Sequence, residues 1–159
     1  MIPLKGADSI LGRTGKRNCV LCKSENLSLA FFISNKGIPP GLPGHEISYS
    51  HVIVNFCNDC GSGILEKLIH DCFDFDDVWD QYEWYVLDKN DTELLNNTLN
   101  DCPDPLSPKC YCDIHRSLRS SVFYLPVDSW NWSLEGEHHV RKVSLNIMDG
   151  LPRFETDKV

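Results

Sequence analysis

Residues 46–63 read EISYSHVIVNFCNDCGSG, a β-branched, partly alternating run that ends in a C-x-x-C-G turn. Residues 46–56 have the pattern of a strand leading into Cys57. In a C-x-x-C turn both sulfurs can face one ion while backbone N–H groups donate to them. Gly61 supplies the positive φ that so tight a turn often needs. The same spacing stands upstream as Cys19-Val-Leu-Cys22. Of the 34 residues between Cys22 and Cys57, 28–34 (SLAFFIS) read as a strand. The proline- and glycine-rich 35–46 (NKGIPPGLPGHE) reads as a loop. The four thiolates of Cys19, Cys22, Cys57 and Cys60 suit tetrahedral Zn²⁺, and paired C-x-x-C spacing is a strong zinc signal.

This arrangement resembles a zinc ribbon or a related zinc-knuckle fold over residues 17–65, with an insert longer than the commonest ribbon spacing. The resemblance implies a structural metal and is silent about activity. A second cluster follows: Cys102, then Cys110-Tyr-Cys112-Asp-Ile-His115. C-x-C brings two sulfurs close together, and x-x-His adds an imidazole from the first turn of a following helix. Cys102, Cys110, Cys112 and His115 therefore make a second site of Cys₃His type, with Cys72 as the alternative to Cys102. Eight cysteines in a chain read as cytoplasmic favour ligation over disulfides. The plainer alternative is a set of buried free thiols, which pack as small hydrophobes. Four protein ligands leave no open position for water, so one or two structural zinc ions are expected and no catalytic one.

Ile64–His70 extends from the second turn as a third strand. Residues 91–99 (DTELLNNTL) suit a short helix, with Asn90 as N-cap and Glu93 three residues on. The run CPDPLSPKC, with three prolines, is irregular. Asp113 caps a helical turn through 114–118, and 121–127 (SVFYLPV) and 139–148 (HVRKVSLNIM) read as strands, the latter with Val143, Leu145 and Ile147 on one face. The expectation is a single α+β domain over 1–159, mostly antiparallel strands with short helices, stapled by metal. It comprises a metal-bearing portion (17–65), an acidic segment with the second Cys/His cluster (66–120), and C-terminal strands (121–159).

Net charge is −8, unevenly spread. Residues 71–104 hold eleven acids against Lys89 alone, whereas 1–23 are basic. Such a field repels nucleic-acid backbone and speeds encounter with a basic partner. Residues 70–84, HDCFDFDDVWDQYEW, interleave six acids with aromatic rings and contain no Lys or Arg. Phe73 and Phe75 alternate with Asp74 and Asp76 as in a strand. Val78, Tyr82, Tyr85 and Val86 follow at helical spacing, with Trp79 alongside. Aromatic anchors surrounded by carboxylates fit a cationic cleft, and Asp74, Asp76, Asp77, Trp79, Asp80, Tyr82, Glu83 and Trp84 are the expected contact residues.

No constellation identifies a reaction. GRTGKR at 12–17 lacks phosphate-loop spacing, and the aspartates of 71–80 lack the glycine and terminal glutamate of a calcium loop. The pairs Cys72–His70 and Cys112–His115 are better explained as ligands than as nucleophile and base. No apolar stretch approaches the roughly 18 residues of a membrane span. The N-terminus lacks the apolar run of a signal peptide, so a cytoplasmic location is expected. Small size, acidity, a metal-stapled scaffold and no catalytic motif together resemble a bacterial immunity protein, the inhibitor made beside a toxin. That resemblance implies one-to-one binding to a basic toxin domain, such as a nuclease, by covering its active site. A zinc-ribbon adaptor of nucleic-acid machinery, using the basic N-terminal arm, is the alternative, followed by an enzyme with an unfamiliar site.

Overall fold

A computed structural model describes residues 18–35, 49–74, 77–107, 109–123, 125–126 and 139–156, with side chains for all of these but 34–35, 49–50, 70–74 and 77–80. The basic arm, the proline-rich loop after β1, Phe75 and Asp76 lie outside the described residues. So do the side chains of His70, Cys72 and Phe73.

The strands β1 (Leu27–Asn35), β2 (Tyr49–Cys57), β3 (Gly63–Asp74), β4 (Asp77–Leu87), β5 (Val140–Met148) and β6 (Leu151–Thr156) form one sheet in sequence order. Every neighbouring pair is antiparallel except β4 and β5, which run parallel from Trp84↔Val140 to Val86↔Lys142. That parallel crossover carries both helices found among the described residues, α1 (Lys89–Leu99) and α2 (Asp113–Val122). The expected α+β architecture with mostly antiparallel strands is what the chain forms.

Because side chains alternate along a strand, the register sorts them into rows. One row runs Phe31, Val54, Leu65, Tyr85. It packs against Leu95 and Leu99 of α1, Ile114, Leu118 and Val122 of α2, and Val143, Leu145 and Phe154 of the last hairpin. The next row, Phe32, Ile53, Glu66, Trp84, points the other way. On that face Ile64, Leu68, Tyr82 and Trp84 pack with Cys19 and Cys57. Both faces are covered, so the consecutive Val52, Ile53 and Val54 are all buried. Strands of this kind read as continuous apolar runs rather than as clean alternation.

The same double burial explains one correction. Val78, Tyr82, Tyr85 and Val86 lie on β4, not on a helix, since a segment buried on both faces carries apolar residues at every spacing. Pairing with β3 from Gly63↔Leu87 to Asp74↔Asp77 settles the matter. Helix α1 also starts earlier than expected: Asp88, not Asn90, is its N-cap, and its Oδ1 accepts the Asp91 N–H at 2.8 Å. Residues 121–122 end α2 rather than opening a strand, and Phe123 caps it. Here the apolar face formed by Ile114, Leu118 and Val122 at helical spacing prevails over the β-propensity of SVFYLPV. The Ser121 hydroxyl accepts the Phe154 N–H at 3.0 Å, tying α2 to β6. Strand β6 itself was not anticipated. Its signal was the Asp149-Gly150 dipeptide, whose φ angles of 54° and 78° make the two-residue turn between Met148 and Leu151.

Candidate metal centres

The hairpin of β1 and β2 places its open end, at Leu27↔Cys57, between two turns of identical design. In the first, Cys19 N–H donates to Ser24 O (2.8 Å) and Lys23 N–H to Cys19 O (2.9 Å). In the second, Cys57 N–H donates to Ser62 O (2.9 Å) and Gly61 N–H to Cys57 O (3.0 Å). The fifth residue of each turn has positive φ, 66° at Lys23 and 78° at Gly61. The turns are laced together: Asn58 N–H donates to Asn26 O, and the Asn58 side-chain amide to Asn26 Oδ1 and Ser28 Oγ. Ser24 and Asn26 donate to Asp59. The four sulfurs of Cys19, Cys22, Cys57 and Cys60 all lie within 4.8 Å of one another.

Thiolates bound to a tetrahedral metal at about 2.3 Å sit roughly 3.8 Å apart. The Cys19–Cys60 and Cys22–Cys57 sulfurs are 3.8 and 3.6 Å apart, far longer than the roughly 2.05 Å of a disulfide. The Cys60 N–H points at the Cys57 sulfur at 3.5 Å, the kind of amide contact that stabilises a thiolate.

The second centre gathers where α1 ends, the proline-rich loop turns and α2 begins. Cys102 follows α1 with its N–H on Leu99 O, and Cys110 ends the loop with its N–H on Ser107 O. Cys112, rather than Asp113, is the N-cap of α2, its sulfur accepting the His115 N–H at 3.4 Å. Asp113 instead pairs with Arg116. His115 Nδ1 stands 3.2 Å from the Cys102 sulfur and 3.4 Å from that of Cys112. Cys102 lies 3.9 Å from Cys110 and 3.5 Å from Cys112, sulfur to sulfur. The other ring nitrogen, Nε2, meets the Phe32 carbonyl at 3.2 Å, and the ring packs on Phe31 at 4.2 Å between centroids. A ligating histidine commonly donates its second N–H to a carbonyl, which fixes the tautomer and aims the free nitrogen at the metal.

Burial pushes the Cys19 and Cys102 thiols up to about 12. Cys60 is held at about 7: burial raises it, but hydrogen bonds from the Ser62 hydroxyl and amide and from the Cys57 and Cys19 thiols outweigh that. Only thiolates ligate, so protonated thiols must release protons as metal enters, and acid opposes binding. Burial also lowers His115 below the ordinary histidine range, favouring the neutral imidazole that ligates.

Both sets of ligands named from spacing are thus brought together, and the described cysteines form no disulfide. The backbone of Cys72 lies on β3, opposite Val78. The expected partner face fares differently. Tyr82, Glu83 and Trp84 are 5%, 0% and 1% exposed, so they belong to the interior and not to a contact surface. Tyr82 and Trp84 stack on each other, and Trp84 Nε1 donates to Glu66 at 3.1 Å. Glu83 opposes the buried Lys67 across the strands and accepts from Gln81 at 2.8 Å. Asp74, Asp77, Trp79 and Asp80 lie on the β3–β4 hairpin, and Asp76 falls outside the described residues. Sequence reasoning missed this buried Lys67–Glu83 pair. Its only signal was Lys67, the one lysine among the acids of two neighbouring strands. No protein-family model matches the chain, and no curated protein or solved structure matches it either.

Proposed function

We propose that the chain is a protein-binding module stapled by two structural zinc ions and that it acts as an immunity protein, covering a basic surface of a bacterial toxin such as a nuclease. Cys₄ and Cys₃His donor sets favour zinc among the divalent metals, and four protein ligands at each centre leave no site for an activated water.

The observation that carries the binding role is the register of the β3–β4 hairpin. Pairing of β3 with β2 starts at Tyr49↔His70, so residues 71–74 and 77–79 run on past the described part of β2, paired only with each other among the described residues. In sequence, residues 71–80 hold Asp71, Asp74, Asp76, Asp77 and Asp80 and no basic residue. An acidic hairpin end of this kind would suit a cationic cleft and steer the encounter. No helix among the described residues is long and apolar enough to cross a membrane.

Binding kinetics against the product of the adjacent toxin gene test this reading. Reversing Asp76, Asp77 and Asp80 to Lys should leave the melting temperature unchanged and slow association by roughly tenfold or more. Added salt should narrow the difference. Unchanged kinetics would remove this hairpin end from the interface. Salt-dependent binding to RNA or DNA in place of protein would support the adaptor reading instead.

A further inference from the structure

Among the described residues strand β1 is an edge of the sheet, and its sequence, LSLAFFISN, contains no charge and no proline. Such an edge offers its N–H and C=O groups to any strand that meets it. Natural proteins blunt these edges with charge, proline or a covering loop. Here the second metal cluster provides the cover. The outward backbone of Phe32 is engaged twice: its N–H donates to Pro105 O at 3.0 Å, and its carbonyl accepts from His115 Nε2 at 3.2 Å. Pro105 lies between the ligands Cys102 and Cys110, and His115 is itself a ligand. One of these bonds therefore comes from a ligand and the other from the loop that two ligands bracket.

Little else in the loop orders it. Residues 103–107 and 109 belong to no helix or strand. Apart from the Pro105 bond to Phe32, their backbone bonds among the described residues are short-range turns, Ser107 N–H to Asp104 O at 3.2 Å and Cys110 N–H to Ser107 O at 3.3 Å. Ligation at Cys102 and Cys110 would hold both ends of this loop and so fix it as a cover. The first cluster reaches β1 only through a side chain, Asn58 Nδ2 to Ser28 Oγ, and among the described residues it engages no outward backbone group of the edge.

We propose that the second cluster is a metal-operated cover for the β1 edge: loaded, it keeps the chain monomeric, and emptied, it frees β1 to pair with β1 of a second copy. The inference rests on reading that cluster as a metal site. A second copy is the fitting occupant because an uncharged, apolar strand is complementary to itself about a two-fold axis.

The test is size-exclusion chromatography with light scattering on the full chain, with zinc content measured in parallel. Wild type should run as a monomer with two equivalents of zinc. Cys110→Ser/Cys112→Ser, in which the introduced hydroxyl can still cap α2, should lose one equivalent and at least double its apparent mass. Cys22→Ser/Cys60→Ser should lose one equivalent and stay monomeric. Adding Ser34→Pro to the associating variant should restore the monomer. By strand parity the Ser34 N–H points outward like that of Phe32, so proline removes an edge donor without breaking the β1–β2 ladder. A Cys110→Ser/Cys112→Ser protein that has lost its zinc, keeps its circular dichroism and remains monomeric overturns the cover alone. Association that Ser34→Pro fails to reverse does the same, being the behaviour of a disordered chain. Fewer than two equivalents in the wild type overturns the metal reading, and the cover with it.

Discussion

His115 Nε2 meets the main-chain carbonyl of Phe32 at 3.2 Å, joining a residue of α2's first turn to an edge strand 83 positions earlier in the chain. The same ring presents Nδ1 to two cysteine sulfurs. One imidazole thus links the second metal cluster to the sheet, and its substitution separates the two roles.

His115→Cys keeps a fourth ligand but removes the donor to Phe32. The variant should retain two equivalents of zinc and lose about 1–3 kcal/mol of stability, because a buried carbonyl is left unsatisfied. His115→Ala should lose one equivalent as well. Metal analysis beside urea unfolding separates these outcomes, and equal stability of wild type and His115→Cys would show that the Phe32 bond contributes nothing.

Zinc content should be two equivalents per chain, and each pair of serine substitutions, at Cys22 and Cys60 or at Cys110 and Cys112, should remove one. A chelator in excess should lower the melting temperature, since ligands that bind only the folded state stabilise it by mass action. A melting temperature indifferent to chelation, with less than half an equivalent bound, would leave the cysteines as packed thiols.

The twin turns of the first cluster give a paired prediction. Gly61 has φ 78°, and a Cβ there would stand 3.2 Å from Lys89 Cγ. Gly61→Ala should cost about 1–2 kcal/mol from the left-handed backbone alone. Lys23 occupies the equivalent position with φ 66°. Lys23→Gly should therefore stabilise by about 0.5 kcal/mol, the relief of strain less the added chain entropy. Thermal melts of the zinc-loaded proteins check both signs.

Lys67 is 4% exposed and stands across from fully buried Glu83, with its Nζ 5.3 Å above the Phe123 ring. Burial lowers the ammonium below the ordinary lysine range, and the Glu83 charge raises it part of the way back. In the alkaline window just beneath the ordinary value the unfolded chain then binds more protons than the folded one, so this residue's contribution to stability rises with pH there. Lys67→Met should lose about 3 kcal/mol by stranding the Glu83 charge, whereas Lys67→Met/Glu83→Gln should be close to neutral. Urea midpoints across the alkaline range would reveal the slope in wild type and its loss in the double variant.

What the sequence determined by itself was local. The two C-x-x-C turns, the Cys110-Tyr-Cys112 and His115 spacing, the three strands around Cys22–Gly63 and the strand read at 139–148 were legible because each rests on residues near one another in the chain. Turn chemistry and ligand spacing act over a few residues and do not wait for the rest of the fold. Tertiary structure decided what depended on neighbours. Tyr82, Glu83 and Trp84 stand in an acidic stretch that reads as surface, yet pairing of β4 with both β3 and β5 puts them inside. SVFYLPV reads as strand, yet α2 holds its start because Ile114, Leu118 and Val122 find apolar partners on the sheet. Cys102 reached its cluster across an irregular loop whose path no local rule specifies. The cover over β1 could not be read in sequence at all: it depends on a carbonyl and an imidazole that only the packing of α2 against the first hairpin brings within a hydrogen bond.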